Sequence, residues 1–323
     1  MKAVVLEEFG SPEVLVMREI DDPCPSAHEV IIDVAASAVN FPDVLVVAGT
    51  YQILPDLPFT PGKEIAGVIR ELGSAVTGLA IGDRVTAQLE NGGYAQRVAV
   101  AQELVVPVPD DVPLDVAATT GLVYTTAAYA LRQRAGLRAG ETVLVTGATG
   151  GVGAAAVQLA KAWGATVIAA ATPDRADQLK DQGADHVVAP DPKTLRDQVR
   201  AVTGGRGVDI AIEAIGGDLF TQVVRSMAWE GRLVVVGFAS GEVPSIKTGH
   251  LLVKNIGISG LQVSDYRERD PQGYRAVIAE ILELVRIGRL EVPIVARFPL
   301  GEAHLALGGL ADRTIRGRII LEP

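Results

Sequence analysis

A glycine-rich turn between a β-branched run and a helical pattern is the feature that most constrains this chain. Residues 142–146 have the composition of a short strand, and residues 152–163 carry apolar side chains at helical spacing. Between them Gly147, Gly150 and Gly153 recur at intervals of three. Glycines here let an anionic group approach the backbone N–H groups at the positive end of the helix dipole. The turn therefore predicts a site for the pyrophosphate of a dinucleotide.

The surrounding pattern divides the chain into two parts. Residues 1–122 contain short apolar runs cut by proline and glycine, which is typical of β barrels and sandwiches. Residues 123–261 alternate strand-like runs with helical stretches, and residues 256–261 supply the last such strand. This alternation predicts the α/β class, with a parallel sheet wound on both faces. A helix over 274–287 and a short β-like tail follow.

Charge and hydropathy limit the possible partners. The net charge of −10 disfavours nucleic acid and anionic membranes. No uninterrupted apolar stretch reaches the roughly 18 residues that a membrane span needs. The first residues are typical of a strand rather than a signal peptide, which predicts a cytoplasmic protein. Cys24 is the one cysteine, so neither an intrachain disulfide nor a thiolate zinc cluster is possible.

The end of the strand after the glycine turn bears on the choice of cofactor. In an NAD site this place usually holds an acid that binds the ribose 2′-hydroxyl. Here the strand leads to Thr172, and Arg175 follows shortly afterwards. A guanidinium suits a 2′-phosphate because its N–H groups pair with phosphate oxygens. The nearby Asp174 and Asp177 oppose this, but the pattern favours NADPH.

Several motifs together carry a resemblance to a known family. They are Asn40-Phe41-Pro42-Asp43, Gly49-Thr50-Tyr51, Pro61-Gly62-Lys63-Glu64-Ile65-Ala66-Gly67, Gly82-Asp83-Arg84-Val85, Gly92-Gly93-Tyr94-Ala95, the glycine turn and residues 231–241. With them the chain resembles, over essentially its whole length, the zinc-independent quinone oxidoreductases of the medium-chain dehydrogenase/reductase superfamily. Residues 40–51 point to the quinone reductase branch.

The resemblance implies an architecture and an assembly. A GroES-like β-rich catalytic domain over 1–122 would be completed by a C-terminal return over 262–323. A doubly wound Rossmann domain over 123–261 would bind NADPH, with the active site in the cleft between the domains. The resemblance also implies a homodimer in which residues 256–261 of each copy pair across a two-fold axis.

The resemblance further assigns site residues. Asn40 would orient a substrate carbonyl, and Tyr51 would donate a hydrogen bond to the acceptor oxygen. The residues implied to bind NADPH are Thr126, Ala148, Thr149, Gly150, Gly151, Val152, Gly153, Thr172, Arg175, Phe238, Ala239, Ser240 and Arg313. Two positions depart from the family pattern, namely Val47 in place of a frequent arginine and Pro190 in place of a frequent tyrosine.

A metal site is not expected. Lys63 occupies the place where the zinc alcohol dehydrogenases of the superfamily carry a histidine, and no room exists between Leu89 and Gly93 for their four-cysteine lobe. The histidines also lack the i, i+4 spacing of a ligand pair. They are His28, His186, His250 and His304.

These observations predict direct hydride transfer from NADPH to a quinone or another small conjugated carbonyl. Aromatic residues make up 4% of the chain and offer few rings to stack on a large quinone, which favours small acceptors. Two alternatives stay open. One is an enoyl-thioester or alkenal double-bond reductase of the same superfamily, for which Arg267 and Arg269, interpreted as solvated charges, are weak support. The other is a non-catalytic NADPH-binding protein.

Overall fold

The computed structural model describes residues 1–323, and the chain forms two compact units. The first unit contains Met1–Leu122 together with Arg267–Pro323, and the second contains Val123–Tyr266. The C-terminal segment rejoins the first unit at residue 267, whereas the boundary given with the family resemblance was 262. The chain contains no helix with both the length and the apolar character needed to cross a membrane.

The elements are numbered in chain order. The strands are β1 (Lys2–Val5), β2 (Val16–Glu19), β3 (Glu29–Val39), β4 (Glu64–Leu72), β5 (Arg84–Gln88), β6 (Arg97–Ala101), β7 (Val105–Pro107), β8 (Thr142–Val145), β9 (Thr166–Ala170), β10 (His186–Val188), β11 (Val208–Glu213), β12 (Met227–Val235), β13 (Gly257–Gly260), β14 (Ile294–Pro299) and β15 (Arg318–Glu322). The helices are α1 (Phe41–Val47), α2 (Leu114–Ala117), α3 (Gly121–Ala128), α4 (Gly151–Ala162), α5 (Ala176–Asp181), α6 (Leu195–Val202), α7 (Gly217–Ser226), α8 (Gly249–Lys254), α9 (Val263–Arg269), α10 (Pro271–Arg286) and α11 (Ala303–Ala311). A π-helical segment, Tyr129–Arg134, continues α3.

The first unit is built on a seven-stranded sheet in the order β14-β15-β3-β4-β5-β7, with β6 also paired to β3. Strand β3 is antiparallel to β4, β6 and β15. Its pairing with β15, Ser37 opposite Leu321 and Val39 opposite Ile319, attaches the C-terminal tail to the N-terminal strands. The two ends of the chain thus meet in one sheet, and β3 and β15 both lead to the site described below.

The second unit is built on a six-stranded parallel sheet in the order β10-β9-β8-β11-β12-β13. This is the strand order of doubly wound dinucleotide-binding sheets, and it confirms the predicted parallel sheet. Helices α6 and α7 cover one face, where Val199, Phe220 and Val223 pack on strand residues such as Leu144 and Leu233. Helix α4 contributes no residue to that core and covers the other face.

The C-terminal tail contains a helix that the sequence pattern did not predict. Residues before β15 were expected to be β-like, but α11 lies between β14 and β15. Its Ala306 and Leu307 are fully buried and pack with Ile319 and Leu321. Tertiary packing of small apolar residues therefore stabilises a helix whose glycines weaken its intrinsic propensity.

Candidate active site

The turn after β8 presents backbone donors at the carboxyl edge of the parallel sheet. Helix α4 begins at Gly151, and no side chain caps this end. The first N–H groups of a helix have no intrahelical acceptor, so here they face outward at the positive end of the dipole. A Cβ atom on Gly153 would lie 2.1 Å from the carbonyl oxygen of Gly147, which itself has a φ of +60°. The turn requires glycine at both positions.

A buried carboxylate, Glu213 at the end of β11, organises the neighbouring turn. Its Oε1 accepts hydrogen bonds from the Thr146 hydroxyl at 3.1 Å and from the N–H of Ile215 at 2.9 Å. The N–H of Gly216 donates to both carboxylate oxygens, at 3.0 and 3.1 Å. Glu213 thereby ties the turn after β8 to the turn after β11. The sequence pattern gave Glu213 no role, although an acid at the end of an apolar strand was an available signal.

The turn after β12 completes this edge. The N–H of Ala239 donates to the carbonyl of Ala214 at 2.9 Å, and the N–H of Ser240 donates to the carbonyl of Ile215 at 2.8 Å. Phe238 leaves 42% of its surface exposed beside them. The structure therefore brings the predicted residues 238–240 and 148–153 to the same sheet edge, since both sets flank the turn that Glu213 holds.

Arg175 lies beyond β9, whose carboxyl end lies at this same edge because the sheet is parallel. Its Nε atom is buried without a hydrogen-bond partner. The guanidinium makes only long contacts within the protein, with Asp174 at 3.4 Å and with Gln178 at 3.4 Å. Thr172 is exposed just before it. Arg175 therefore has unused hydrogen-bonding capacity, as a phosphate-binding side chain requires.

Two predicted cofactor residues, Thr126 and Arg313, do not belong to these turns. Thr126 is buried in α3 of the second unit, with 8% of its surface exposed. Arg313 belongs to the first unit, where it is exposed after α11 and has a left-handed φ of +64°. The roles assigned to both stay predictions.

A buried polar network surrounds Asn40 in the first unit. Asn40 is 2% exposed, Glu64 0% and Arg318 7%. Arg318 pairs with Glu64 and donates to Asn40 Oδ1 at 3.0 Å, while Asn40 Nδ2 donates to Glu64 Oε1 at 3.0 Å. The N–H of Leu122 donates a hydrogen bond to the other carboxylate oxygen of Glu64 at 2.7 Å. Both ends of the Asn40 amide thus have protein partners, and its contact with a substrate carbonyl stays a prediction.

Asp43 anchors the start of α1 within this network. Its Oδ2 accepts hydrogen bonds from the N–H of Asn40 at 2.8 Å and from the Tyr94 hydroxyl at 3.0 Å. Burial raises the pKa of Asp43 to about 7, although Lys63 and these two hydrogen bonds oppose the rise. Asp43 therefore fixes the segment that leads through α1 to Tyr51.

A second cluster connects Tyr51 to buried charges. The Lys63 ammonium lies 4.9 Å from the centroid of the Tyr51 ring and donates to Glu90 Oε2 at 3.0 Å. Arg267 also pairs with Glu90 and donates to the carbonyl of Leu89 at 3.1 Å. Burial alone would raise the pKa of Glu90, but Lys63 and Arg267 hold that pKa below its usual value. Lys63 and Arg267 thus both form ion pairs with the single carboxylate of Glu90.

Arg267 corrects an expectation from the sequence. It was interpreted as a solvated charge, but only 5% of its side chain is exposed. The interpretation was wrong because Glu90 and a backbone carbonyl supply partners that no local spacing reveals. Arg267 is thus committed to an internal pair and offers little to the phosphates of a thioester substrate.

The donor groups do not fit a zinc ion. Nowhere do three or more His, Cys, Asp and Glu side chains lie together in a way that could hold a metal. Lys63, at the place of the superfamily's histidine ligand, forms an ion pair instead. The candidate site residues of the first unit are therefore Tyr51 and the charged groups around it, and those of the second unit are its backbone turns.

Comparison with known proteins gives matches over the whole chain. Residues 26–110 match the model of the alcohol dehydrogenase GroES-like domain, and residues 151–283 match a model described as zinc-binding dehydrogenase. The chain is 35% identical over 323 residues to the quinone oxidoreductase-like protein 2 homolog of Nematostella vectensis, which covers 99% of this chain and 88% of that protein.

Solved structures agree with these matches. Mycobacterial Rv1454c, complexed with NADPH, is 32% identical and superimposes with a TM-score of 0.91 over 100% of both chains. Escherichia coli quinone oxidoreductase, also complexed with NADPH, is 27% identical with a TM-score of 0.92 over 100% of both chains. The predicted GroES-like and Rossmann parts are thereby confirmed.

Proposed function

Since this chain belongs to the quinone oxidoreductase family of the medium-chain dehydrogenase/reductase superfamily, we propose that it transfers a hydride from NADPH to a quinone or another small conjugated carbonyl. The observation that carries the proposal is the presence, at one sheet edge, of an uncapped α4 terminus and of the Arg175 guanidinium, whose Nε atom has no hydrogen-bond partner. The first suits a pyrophosphate and the second suits a 2′-phosphate. Two relatives with this fold have been solved with NADPH.

The residues of the second unit fit the cofactor at several points. Residues 148–153 would hold the pyrophosphate through backbone N–H groups, and Thr172 with Arg175 would hold the 2′-phosphate. Phe238, Ala239 and Ser240 would border the nucleotide at the turn after β12, with Thr126 as a further contact of this unit. Arg313 of the first unit keeps the NADPH-binding role that the resemblance implies. When bound, NADPH supplies the hydride, and the protein supplies orientation and exclusion of water.

At the acceptor end, Tyr51 and Lys63 act together in this proposal. The Tyr51 hydroxyl makes no hydrogen bond within the protein and would donate one to the acceptor oxygen as negative charge develops there. The Lys63 cation, held against the ring by Glu90, favours that charge and fixes the ring orientation. Asn40 and Asp43 hold the segment that carries Tyr51.

The cofactor assignment is tested with Arg175→Ala. If Arg175 binds the 2′-phosphate, the Kd for NADPH rises about tenfold or more, since one charge-assisted contact is lost, while the Kd for NADH stays unchanged. Lys180→Ala, on the following helix α5, removes a cation as a matched control. An unchanged ratio of the two Kd values in Arg175→Ala contradicts the assignment.

The acceptor assignment is tested with Tyr51→Phe, assayed with NADPH and simple quinones and enones. We expect kcat to fall about tenfold or more while the Kd for NADPH stays constant, because only a hydrogen bond to the acceptor is removed. The absence of turnover with every quinone and enone, despite bound NADPH, would instead favour the non-catalytic alternative.

We also propose a homodimer formed through β13. This strand is at the edge of the parallel sheet, and edge strands present unpaired backbone groups. Leu252 just before it is 81% exposed and Trp229 on β12 is 66% exposed. We expect Leu252→Glu to shift the sedimentation coefficient toward a monomer, whereas Ile81→Glu, at a site 67% exposed in the first unit, leaves it unchanged.

A further inference from the structure

A surface cavity of about 230 Å³ in the second unit is lined mainly by basic side chains. It is bounded by helices α6, α7 and α8. The lining residues are Arg196, Val224, Arg225, His250, Val253 and Lys254. Its volume is below the roughly 300–1,000 Å³ of sites for drug-sized ligands, so it suits a small ligand.

The charges around this cavity are not balanced by the protein. Arg196, Arg200 and Arg225 form no ion pair with any carboxylate, although the chain has a net charge of −10. Lys254 donates only to backbone carbonyls, those of Arg225 at 2.9 Å and Met227 at 2.8 Å. Burial and the nearby Arg196 and Arg200 lower the pKa of Lys254. Arg196, Arg200 and Arg225 are exposed, so solvent screens much of their mutual repulsion, and their N–H donors are accessible to an anion.

The helix dipole accounts for only part of this arrangement. Arg225 and Lys254 lie in the last turns of α7 and α8, where a cation is favoured. Arg196 lies in the first turn of α6, where the dipole disfavours a cation. The helix dipole therefore does not account for the Arg196 guanidinium at the cavity, and no carboxylate pairs with it.

We propose that this cavity binds a small phosphate-bearing anion. Arg196 and Arg225 donate hydrogen bonds to the anion, and His250 is a further polar contact. Guanidinium groups pair their N–H donors with phosphate oxygens. A phosphate carries about −1.5 to −2 charges at neutral pH, which matches several unpaired cations better than one carboxylate does. Val224 and Val253 supply an apolar wall beside the charged groups.

This site is separate from the nucleotide site proposed above. Lys254 lines the cavity and donates to the carbonyl of Met227, the first residue of β12, so the cavity lies near the amino ends of the strands. The glycine turn instead follows the carboxyl end of β8. The core beneath α6 and α7 includes no residue of α4, so the cavity and α4 lie on opposite faces of the sheet. Phosphate binding here is therefore independent of NADPH.

The test is isothermal titration calorimetry of the full-length protein with inorganic phosphate at constant ionic strength, first without NADPH and then with NADPH at saturation. We expect saturable binding that Arg225→Gln weakens about tenfold or more, because one charge-assisted contact is lost. Arg225→Lys, which keeps the charge, should weaken it less. Lys180→Gln on α5, which removes a cation from a helix that does not line the cavity, should leave the affinity unchanged.

A second arm replaces inorganic phosphate with glycerol 3-phosphate. Tighter binding of the monoester, sensitive to Arg225→Gln, supports a phosphorylated metabolite, and equal binding supports free phosphate. The proposal is overturned by any of three results: no saturable heat with either anion, equal affinity in Arg225→Gln and the parent, or displacement by NADPH. Binding of an RNA oligonucleotide alone, lost in Arg225→Gln, would also overturn it in favour of a nucleic-acid surface.

Discussion

The two units hold their candidate site residues by different kinds of contact. In the second unit the site is made of backbone turns, which Glu213 fastens through N–H groups. In the first unit Asn40 and the segment leading to Tyr51 depend on charged side chains, Glu64 and Arg318, from distant parts of the chain. A site defined by backbone is sensitive to added atoms, whereas one defined by paired charges is sensitive to a lost partner.

Arg318→Met is expected to have the largest effect on stability. The change leaves the Glu64 carboxylate buried without its cation, and breaking a buried pair in this way costs about 3–5 kcal/mol. Equilibrium urea unfolding of the variant and the parent measures the difference.

A surface arginine provides the matched control for that comparison. Arg297 also has carboxylate partners, Asp115 and Glu322, but 48% of its side chain is exposed. Solvent screens such pairs, so Arg297→Met should cost less than about 1 kcal/mol. Equal losses in the two variants would mean that burial does not set the strength of the Glu64 pair.

Gly153→Ala tests the backbone-defined site. The added Cβ would meet the Gly147 carbonyl oxygen at 2.1 Å, so the turn must shift. We expect a loss of about 3 kcal/mol in the free energy of unfolding, as for overpacking, together with weaker NADPH binding. Gly308→Ala in α11 meets no atom within 4 Å and should be neutral or slightly stabilising. Retained NADPH affinity in Gly153→Ala would contradict the pyrophosphate assignment.

The same contrast explains what the sequence revealed. The glycine turn was predictable because strand, turn and helix are contiguous, and each glycine has a local steric reason. The first-unit network was not, because Arg318 contacts Asn40 across 278 residues and Glu64 across 254. Only the three-dimensional pairing of β3 with β15 brings them together.

Lys63 lies between these two cases. The sequence showed that it replaces a histidine of the zinc enzymes, but no spacing indicated its pairing with Glu90. Helix α11 was missed for a related reason, since its stability comes from buried contacts with β15 rather than from its own sequence pattern. The family resemblance identified Asn40 and Tyr51 as site residues. The carboxylates and cations that hold them could be identified only from the folded structure.

Glu213→Gln tests whether one carboxylate organises the turns of the second unit. An amide NH₂ group would replace one of the oxygens that accept from Ile215 and Gly216, leaving a buried donor facing a donor. We expect a loss of about 2 kcal/mol in the free energy of unfolding, measured in urea, and weaker NADPH binding. A stable variant with unchanged affinity would show that the turns hold their shape without the charge.

Asp43→Asn is expected to have the smallest effect on stability. The effect is a change in how the free energy of unfolding depends on pH. Burial raises the pKa of Asp43 to about 7 in the folded protein, above its ordinary value. Between about pH 4 and pH 7 the folded state therefore keeps a proton that the unfolded state has released. The contribution of Asp43 to the free energy of unfolding is therefore fully present at low pH and is lost as pH rises toward 7.

The asparagine variant removes that titration while keeping an oxygen that can accept from Asn40 and Tyr94. Its unfolding free energy should therefore fall less than that of the parent between pH 6 and pH 7, by about 1 kcal/mol. Asp56→Asn, at an exposed site in the first unit, should preserve the parent's slope. Parallel pH profiles for the parent and Asp43→Asn would mean that Asp43 keeps its charge when buried, with Lys63 offsetting the cost. The first unit would then contain one more paired charge and no proton-dependent contact at the base of the Tyr51 segment.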